Sequence, residues 1–451
     1  MAVQYQAMLG LTKNRIKQIL KLATPIMLGM VSHNIIDLID ILMISAKGET
    51  AIASVGLAGG LAFFCLSCLI GFSAAVQTIT ARRLGEGKTK QLAVALTESF
   101  KWTLLTAIPF SLVMYYFSPQ IFSFLSPDVA VSQVSTDYFQ YRILGFTFFM
   151  CNFLFRGYWN GIKKPMPYLG ILVFTHACNA FLNWVFIFGN LGAPELGVAG
   201  AGLASALSVG IGTAVYFLSG FMLIKNQGFL VDVWKINESA LPLLKLAWPF
   251  CTRQGFHALW ILSLYWLIAL LGTTELAIAN VLINILLFLV LPGVGFGQAT
   301  QSLVSEALGQ NDRKEVKQWA WDVIKLASLG LFFAGLIILI FPRFFIGFFI
   351  HNPETIEMAV PVLRLDAITI WIEVIGIIIS HGLHGTGDTK TVMYLSTPTE
   401  WLIKLPLMYV LGITLNYGLM GIWVGIALYN IAITGVYIFI WQRERWGNTV
   451  I

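Results

Sequence analysis

His33, Asp37 and Asp40 stand at i, i+4 and i+7 within an apolar stretch. On a helix that spacing lays all three on one stripe. An ionisable group at the centre of a bilayer costs about 2.5–3.5 kcal/mol even on permissive scales, so each one calls for a reason. Two carboxylates one turn apart in a low dielectric cannot both ionise cheaply, and the pair is expected to hold protons as one coupled unit near neutral pH. That is the chemistry a proton-coupled carrier needs, with Asp40 as the leading candidate. The plainer alternative places Asp37 or His33 at the wet end of its helix. His176, Asn179 and Asn183 form a second polar stripe at i, i+3 and i+7. It is expected to face the first, where its amides could hydrogen-bond either protonation state of Asp40; interhelical polar glue is the structural alternative.

The second half of the chain has its own ionisable groups in apolar surroundings. Arg253 and His257 are four apart, Asp366 and Glu373 seven apart, and Glu400 and Lys404 four apart. The last pair has the favourable order for an ion pair on one helix face and reads as a self-neutralising bridge. Glu373 has no opposite charge in its own stretch and is the second candidate for a proton or cation group. The sequence holds no P-loop, no zinc-spaced His/Cys set and no serine nucleophile elbow. Cys65-Leu-Ser-Cys68 has the spacing of a redox or metal pair, but no second pair accompanies it, and all five cysteines lie in apolar runs as small packing residues. No enzymatic activity and no cofactor are expected. Energy must come from an ion gradient or a partner.

The elements that position these groups are membrane helices. With 57% hydrophobic and 11% charged residues, and a mean hydropathy of +0.79, the 451-residue chain has too little polar surface for a water-soluble globule. Twelve apolar runs of membrane-spanning length are expected, at 17–44, 51–80, 92–116, 133–158, 165–188, 197–223, 241–271, 276–306, 318–349, 358–383, 391–414 and 418–440. The net charge of +6 is not a nucleic-acid patch. Its clusters (Lys13 to Lys21, Arg82 to Lys90, Lys163 and Lys164, Lys225 and Lys235, Arg313 to Lys317, Lys390, Arg443 and Arg445) fall on even-numbered junctions or the termini. The opposite junctions hold little more than Lys47 and Arg343. This asymmetry implies cytoplasmic termini in a multi-pass cell (inner) membrane protein. No cleavable signal peptide is visible, since the N-terminus is polar to Lys21 and then enters a full-length span.

The chain also repeats itself. A shift of 224 residues lays Leu22, Ala23, Pro25 and His33 on Leu246, Ala247, Pro249 and His257, and Gly71, Phe72, Ala75, Gln77, Leu84 and Gly85 on Gly295, Phe296, Ala299, Gln301, Leu308 and Gly309. Six spans separate partners, and an even number of crossings restores orientation, so the repeats are parallel. The expected division is an N-terminal lobe at 1–225, a cytoplasmic loop at 226–240 carrying Asp232, Lys235 and Glu238, and a C-terminal lobe at 241–451. Alternating access through a path between lobes follows from that plan. Gly85 and Gly309 are expected to end their spans as caps with positive φ, and Pro25 and Pro249 to kink spans 1 and 7.

Leu22-Ala-Thr-Pro-Ile, Asp37-Leu-Ile-Asp40, Ile52-Ala-Ser-Val-Gly-Leu, Leu84-Gly85-Glu-Gly, Arg156-Gly-Tyr-Trp-Asn-Gly161 and Leu383-His-Gly-Thr-Gly-Asp-Thr-Lys390 are each loose motifs. In this order, spacing and duplication they resemble the multidrug and toxic compound extrusion (MATE) transporters over essentially the full length. The resemblance implies an all-α membrane fold of twelve helices in two six-helix lobes forming a V, and export of cationic or amphipathic compounds in exchange for protons or sodium ions. By that pattern Asp40 matches the first-helix acid central to coupling, and Asn179 and Asn183 the polar positions of the fifth helix, where some members have Asp at Asn183. Glu373 falls where the NorM-like branch has its tenth-helix acid, and His257 where that branch has a seventh-helix Glu.

A sodium site wants several hard oxygens, and His257 and Asn183 each replace a carboxylate. Protons are therefore favoured over sodium, with coupling on Asp40, which points to the DinF-like branch, while Glu373 keeps a NorM-like assignment open. Expected partners are organic cations or amphipathic drugs, the coupling ion and the bilayer, with a monomeric carrier. The rival readings are a sodium-coupled antiporter, a flippase for a lipid-linked substrate (whose phosphate contacts would fall to Arg253 and Lys404), and a membrane-embedded enzyme or receptor.

Overall fold

The computed structural model describes residues 10–231, 235, 238–444 and 446; Asp232 and Arg445, named above among loop and terminal charges, lie outside them. Long apolar runs with few breakers fold as helices, and no strand occurs among the described residues. Span 1 is Lys13–Ser45, span 2 is Glu49–Leu69 continued by Gly71–Gly85, and span 3 is Val94–Leu125. Span 4 is Val129–Leu144 continued by Phe146–Gly161, span 5 is Met166–Phe188, and span 6 is Val198–Leu223. Spans 7 to 10 are Ala240–Ala269, Thr273–Gly309, Arg313–Ile340 and Pro353–Thr386, and span 12 is Gly418–Gln442.

Span 11 changes pitch along its length. It is α-helical over Thr389–Thr399, π-helical over Glu400–Lys404, α-helical over Leu405–Tyr409 and π-helical again over Val410–Thr414. Pro398 and Pro406, which lack the amide donor of a regular turn, flank the first wide stretch. Such wide turns gather at functional sites.

Among the described residues, eight helices are long and apolar enough to cross a membrane by length and composition. The others lie in spans 4, 7, 10 and 11. Those are the spans that carry Arg142 and Arg156, Arg253 and His257, Asp366 and Glu373, and Glu400 and Lys404.

The chain forms two compact units, Leu28–Gly255 and Met1–Met27 with Phe256–Ile451. These boundaries lie inside spans 1 and 7, whereas the repeat in the sequence puts the division in the 226–240 loop. Packing accounts for the difference. A Cβ on Gly71 of span 2 would fall 2.4 Å from the Ala247 carbonyl oxygen and 2.7 Å from the Cys251 Sγ, both of span 7. A Cβ on Gly295 of span 8 would fall 2.4 Å from the Met27 Cγ of span 1. Each repeat-related glycine thus admits the opening half of the other repeat's first span. Span 1 is further tied to span 9 by Arg15, whose Nη1 lies 2.9 Å from Glu315 Oε2 and whose Nε donates to Asp322, with the guanidinium 3.8 Å from the Trp319 ring centre. Substituting Gly71 by Leu is expected to cost about 1–3 kcal/mol by overpacking, read as a lower melting temperature in detergent.

The span ends correct one expectation. Gly85 and Gly309 are not left-handed; the positive φ falls two residues later, at Gly87 (72°) and Asn311 (60°). Each helix runs a little further before a Schellman closure, in which Lys88 N–H donates to the Arg83 carbonyl and Asp312 N–H to the Ala307 carbonyl, both at 3.0 Å. Glycine and asparagine are the residues that enter this region most readily.

In Leu28–Gly255 the core around Ile44, Phe122, Tyr138, Phe139, Met150 and Ile187 packs the outer part of span 1 against spans 3, 4 and 5. That packing fixes the face on which Asp40 is presented.

Candidate functional site

In the Leu28–Gly255 unit, the two polar stripes found in the sequence meet in a single register. His33 lies beside His176, ring centres 5.7 Å apart, and seven residues further along each helix Asn183 Nδ2 donates to Asp40 Oδ1 at 2.6 Å. Asn183 is wholly buried and Asn179 nearly so. The same amide nitrogen reaches Asn179 Oδ1 at 3.4 Å, and Asn179 Nδ2 reaches Ser205 Oγ of span 6 at 3.4 Å. Asp40, Asn183, Asn179 and Ser205 therefore form one hydrogen-bonded chain across three helices. Two polar atoms on this wall, Asn183 Oδ1 and His176 Nε2, are buried without a hydrogen-bond partner, which marks a network able to take up another arrangement.

Asp37 belongs to the same wall. It acts electrostatically on His33 and on Arg142 of span 4, and Arg142 also acts on Asp40. The Arg142 guanidinium donates to the Tyr138 hydroxyl. Arg156, about four turns further along span 4, lies 4.4 Å from the Phe153 ring centre and interacts with Tyr168. Arg142 was not singled out from the sequence, and Arg156 only as part of a family-resembling motif, not as an intramembrane charge. The signal was present, since both are ionisable residues inside an expected span, the criterion that flagged Asp40.

In the other unit, His257 Nδ1 lies 3.4 Å from Glu400 Oε2, and the imidazole stacks on Trp260 at 5.5 Å and 17°. Lys404 feels the charge of Glu400, as the four-residue spacing suggests. Its ammonium sits over Trp260, 3.7 Å from the ring centre, and 5.1 Å from that of Tyr429. Glu373 accepts from Asn430 Nδ2 at 3.1 Å, and Asp366 from Trp423 Nε1 at 2.7 Å, both donors on span 12. Arg253 falls in the Leu28–Gly255 unit, where it donates to Gln254 at 3.1 Å. Arg253 and His257 thus share the second sequence repeat but fall in different compact units. Among the described residues, no group of three or more His, Cys, Asp and Glu side chains could hold a metal ion.

Comparison with known proteins bears on both halves. The MatE family model matches residues 25–185 and 249–410, so its second match starts at the repeat displacement seen in the sequence. A probable multidrug resistance protein NorM of Pasteurella multocida is 24% identical over 437 residues, covering 95% of this chain and 94% of its own. The multidrug resistance protein NorM of Aliivibrio fischeri is 24% identical over 420 residues, covering 92% and 91%. Among solved structures, an outward-facing multidrug resistance MATE family transporter of the MOP superfamily has a TM-score of 0.87 at 19% identity, over 97% of each chain. A MOP superfamily transporter from Pyrococcus furiosus, described as having a binding pocket of reversed polarity, has a TM-score of 0.85 at 19% identity, over 96% of each chain. The twelve-helix, two-repeat architecture is thus shared with solved transporters, and this chain belongs to the MatE family of multidrug and toxic compound extrusion transporters.

Proposed function

We propose that the protein is a secondary antiporter that exports cationic or amphipathic organic compounds in exchange for protons, with Asp40 as the coupling group. The observation that carries this reading is the 2.6 Å bond in which Asn183 turns its N–H, not its carbonyl, toward Asp40. An ionised Asp40 can only accept; a protonated Asp40 keeps one accepting oxygen and gains an O–H, for which the unpartnered Asn183 Oδ1 is an acceptor once the amide turns. Taking up a proton is therefore proposed to let Asn183 turn and release Asn179, so that a change of charge becomes a change of contact between spans 1, 5 and 6. A sodium ion at the same place would want the amide oxygen beside the carboxylate. The ionised state offers its charge to a cationic compound, and protonation withdraws it. Asp37, His33 and Arg142 are proposed to tune this balance from neighbouring turns, and Glu373 with His257 to form a second polar centre.

The orientation proposed from the basic junctions gains support from the opposite side. There Lys47 is paired with Glu195 and Arg343 with Glu357, each at 2.6 Å, which neutralises the two exceptions to the charge asymmetry. Arg142 and Arg156 give the lipid-linked reading two cations beyond those counted in the sequence. Purified protein in liposomes separates the readings. Dye accumulation is expected under an imposed proton gradient, and no accumulation under a sodium gradient at equal pH. Accumulation driven by sodium alone, or movement of a fluorescent lipid but of no cationic dye, would replace proton-coupled drug export.

A further inference from the structure

We propose that Trp260, Tyr429, Glu400 and Glu373 form a binding site for an organic ammonium, and that the site is filled by the chain's own Lys404. The lysine head group occupies the place a cationic ligand would take. Its Nζ is 3.7 Å from the Trp260 ring centre and 5.1 Å from that of Tyr429, both within the roughly 6 Å at which an aromatic face attracts a cation. Trp260, Tyr429, Glu400 and Lys404 are each 6% exposed. The two acids that act on the lysine charge are Glu400 and Glu373. Glu400 also meets His257 at 3.4 Å, and Glu373 accepts from Asn430 at 3.1 Å. Glu373 in turn acts on Asp366, which is bonded to Trp423.

Two ring faces against one ammonium, with two carboxylates acting on its charge, are the elements of a cage for alkylammonium compounds. A salt bridge alone would need one acid and no rings. The lysine arrives from the last position of the π-helical turn Glu400–Lys404, on a flexible four-carbon stem, so the occupant is tethered and not built into a regular helix. Such a tethered cation competes at very high effective concentration with any free one. The cage is closed to external cations while the ammonium is in place and opens when it is removed. This inference is independent of the Asp40 reading, since every residue it uses lies in the other compact unit.

Chemical rescue tests it. Full-length Lys404→Ala protein in detergent is titrated with n-butylammonium, which restores the missing stem and head, and with n-butanol, its neutral counterpart, while melting temperature and heat of binding are followed. The expected result is saturable stabilisation by the amine, with affinity at least about tenfold above that of the native protein. Butanol should have little effect, and Trp260→Leu in the same background should remove the response. An Asp40→Asn change should leave it intact, which separates this outcome from failure of the antiport mechanism. If Lys404→Ala folds poorly, recovery of monodisperse protein with the amine present during purification, and not with butanol, becomes the readout. Equal rescue by butanol, or no gain by either compound, overturns the proposal.

Discussion

Liposomes carrying Asp40→Asn protein are expected to lose uphill dye export by about 100-fold or more, the equivalent of about 2.7 kcal/mol of coupling free energy. The substitution is nearly isosteric. The introduced amide can still accept the Asn183 N–H through its own carbonyl oxygen, so the span 1 to span 5 contact at 2.6 Å has a neutral replacement. What it cannot do is change charge. Without that change, neither the direction of the Asn183 amide nor the attraction for a cationic compound depends on protons, and the imposed gradient has nothing to act on. Melting in detergent should be close to native, which separates lost coupling from lost fold. Downhill dye movement is expected to persist at a reduced rate. Folded Asp40→Asn protein that still concentrates dye against its gradient would remove Asp40 from the mechanism.

Arg15→Ala is expected to be the most destabilising single change in the opening half of span 1, by about 3–5 kcal/mol, because it leaves a buried carboxylate without its partner. The arginine bonds Glu315 at 2.9 Å and Asp322, and stacks 3.8 Å from the Trp319 ring centre. Asp322 has a side chain only 5% exposed, whereas that of Glu315 is 33% exposed. The cost should therefore lie mainly with Asp322. Glu315→Gln is expected to cost under about 1 kcal/mol, as for a screened pair. Restoring neutrality in the double variant Arg15→Ala, Asp322→Asn should recover much of the loss. Melting of the native, Arg15→Ala, Asp322→Asn and double-variant proteins in one detergent measures the cycle, and additive losses would show that Asp322 is not what Arg15 compensates.

Much of this molecule was legible in its sequence because bilayer chemistry leaves few options. Apolar runs of the right length must be helices, and six of them between matching positions must return the chain in the same direction. The stripes on spans 1 and 5 could be read as well, since i, i+4 and i+7 spacing fixes a face, and two polar faces in lipid have reason to meet. Partner choice was harder. The spacing of Glu400 and Lys404 suggested an ion pair, but spacing along one helix says nothing of Trp260 and His257, which reach the same place from span 7. The unit boundaries were hidden for a related reason. A repeat shows which residues correspond, while the glycines at 71 and 295 decide which helix halves pack together. Arg142 and Arg156 were overlooked as intramembrane charges although the rule that found Asp40 applied to them equally.

The tie between Arg15 and Asp322 spans 307 residues of sequence. At about 5–20 residues per second, a ribosome needs roughly 15–60 s to make the partner after the arginine has emerged. Through that interval the opening half of span 1 waits in the membrane while its permanent neighbours do not yet exist. Lys13, Lys17 and Lys21, on the exposed side of that half, can hold it against anionic headgroups in the meantime. Early arrest of translation would strand this segment, and the quality-control machinery of the cell would meet it first.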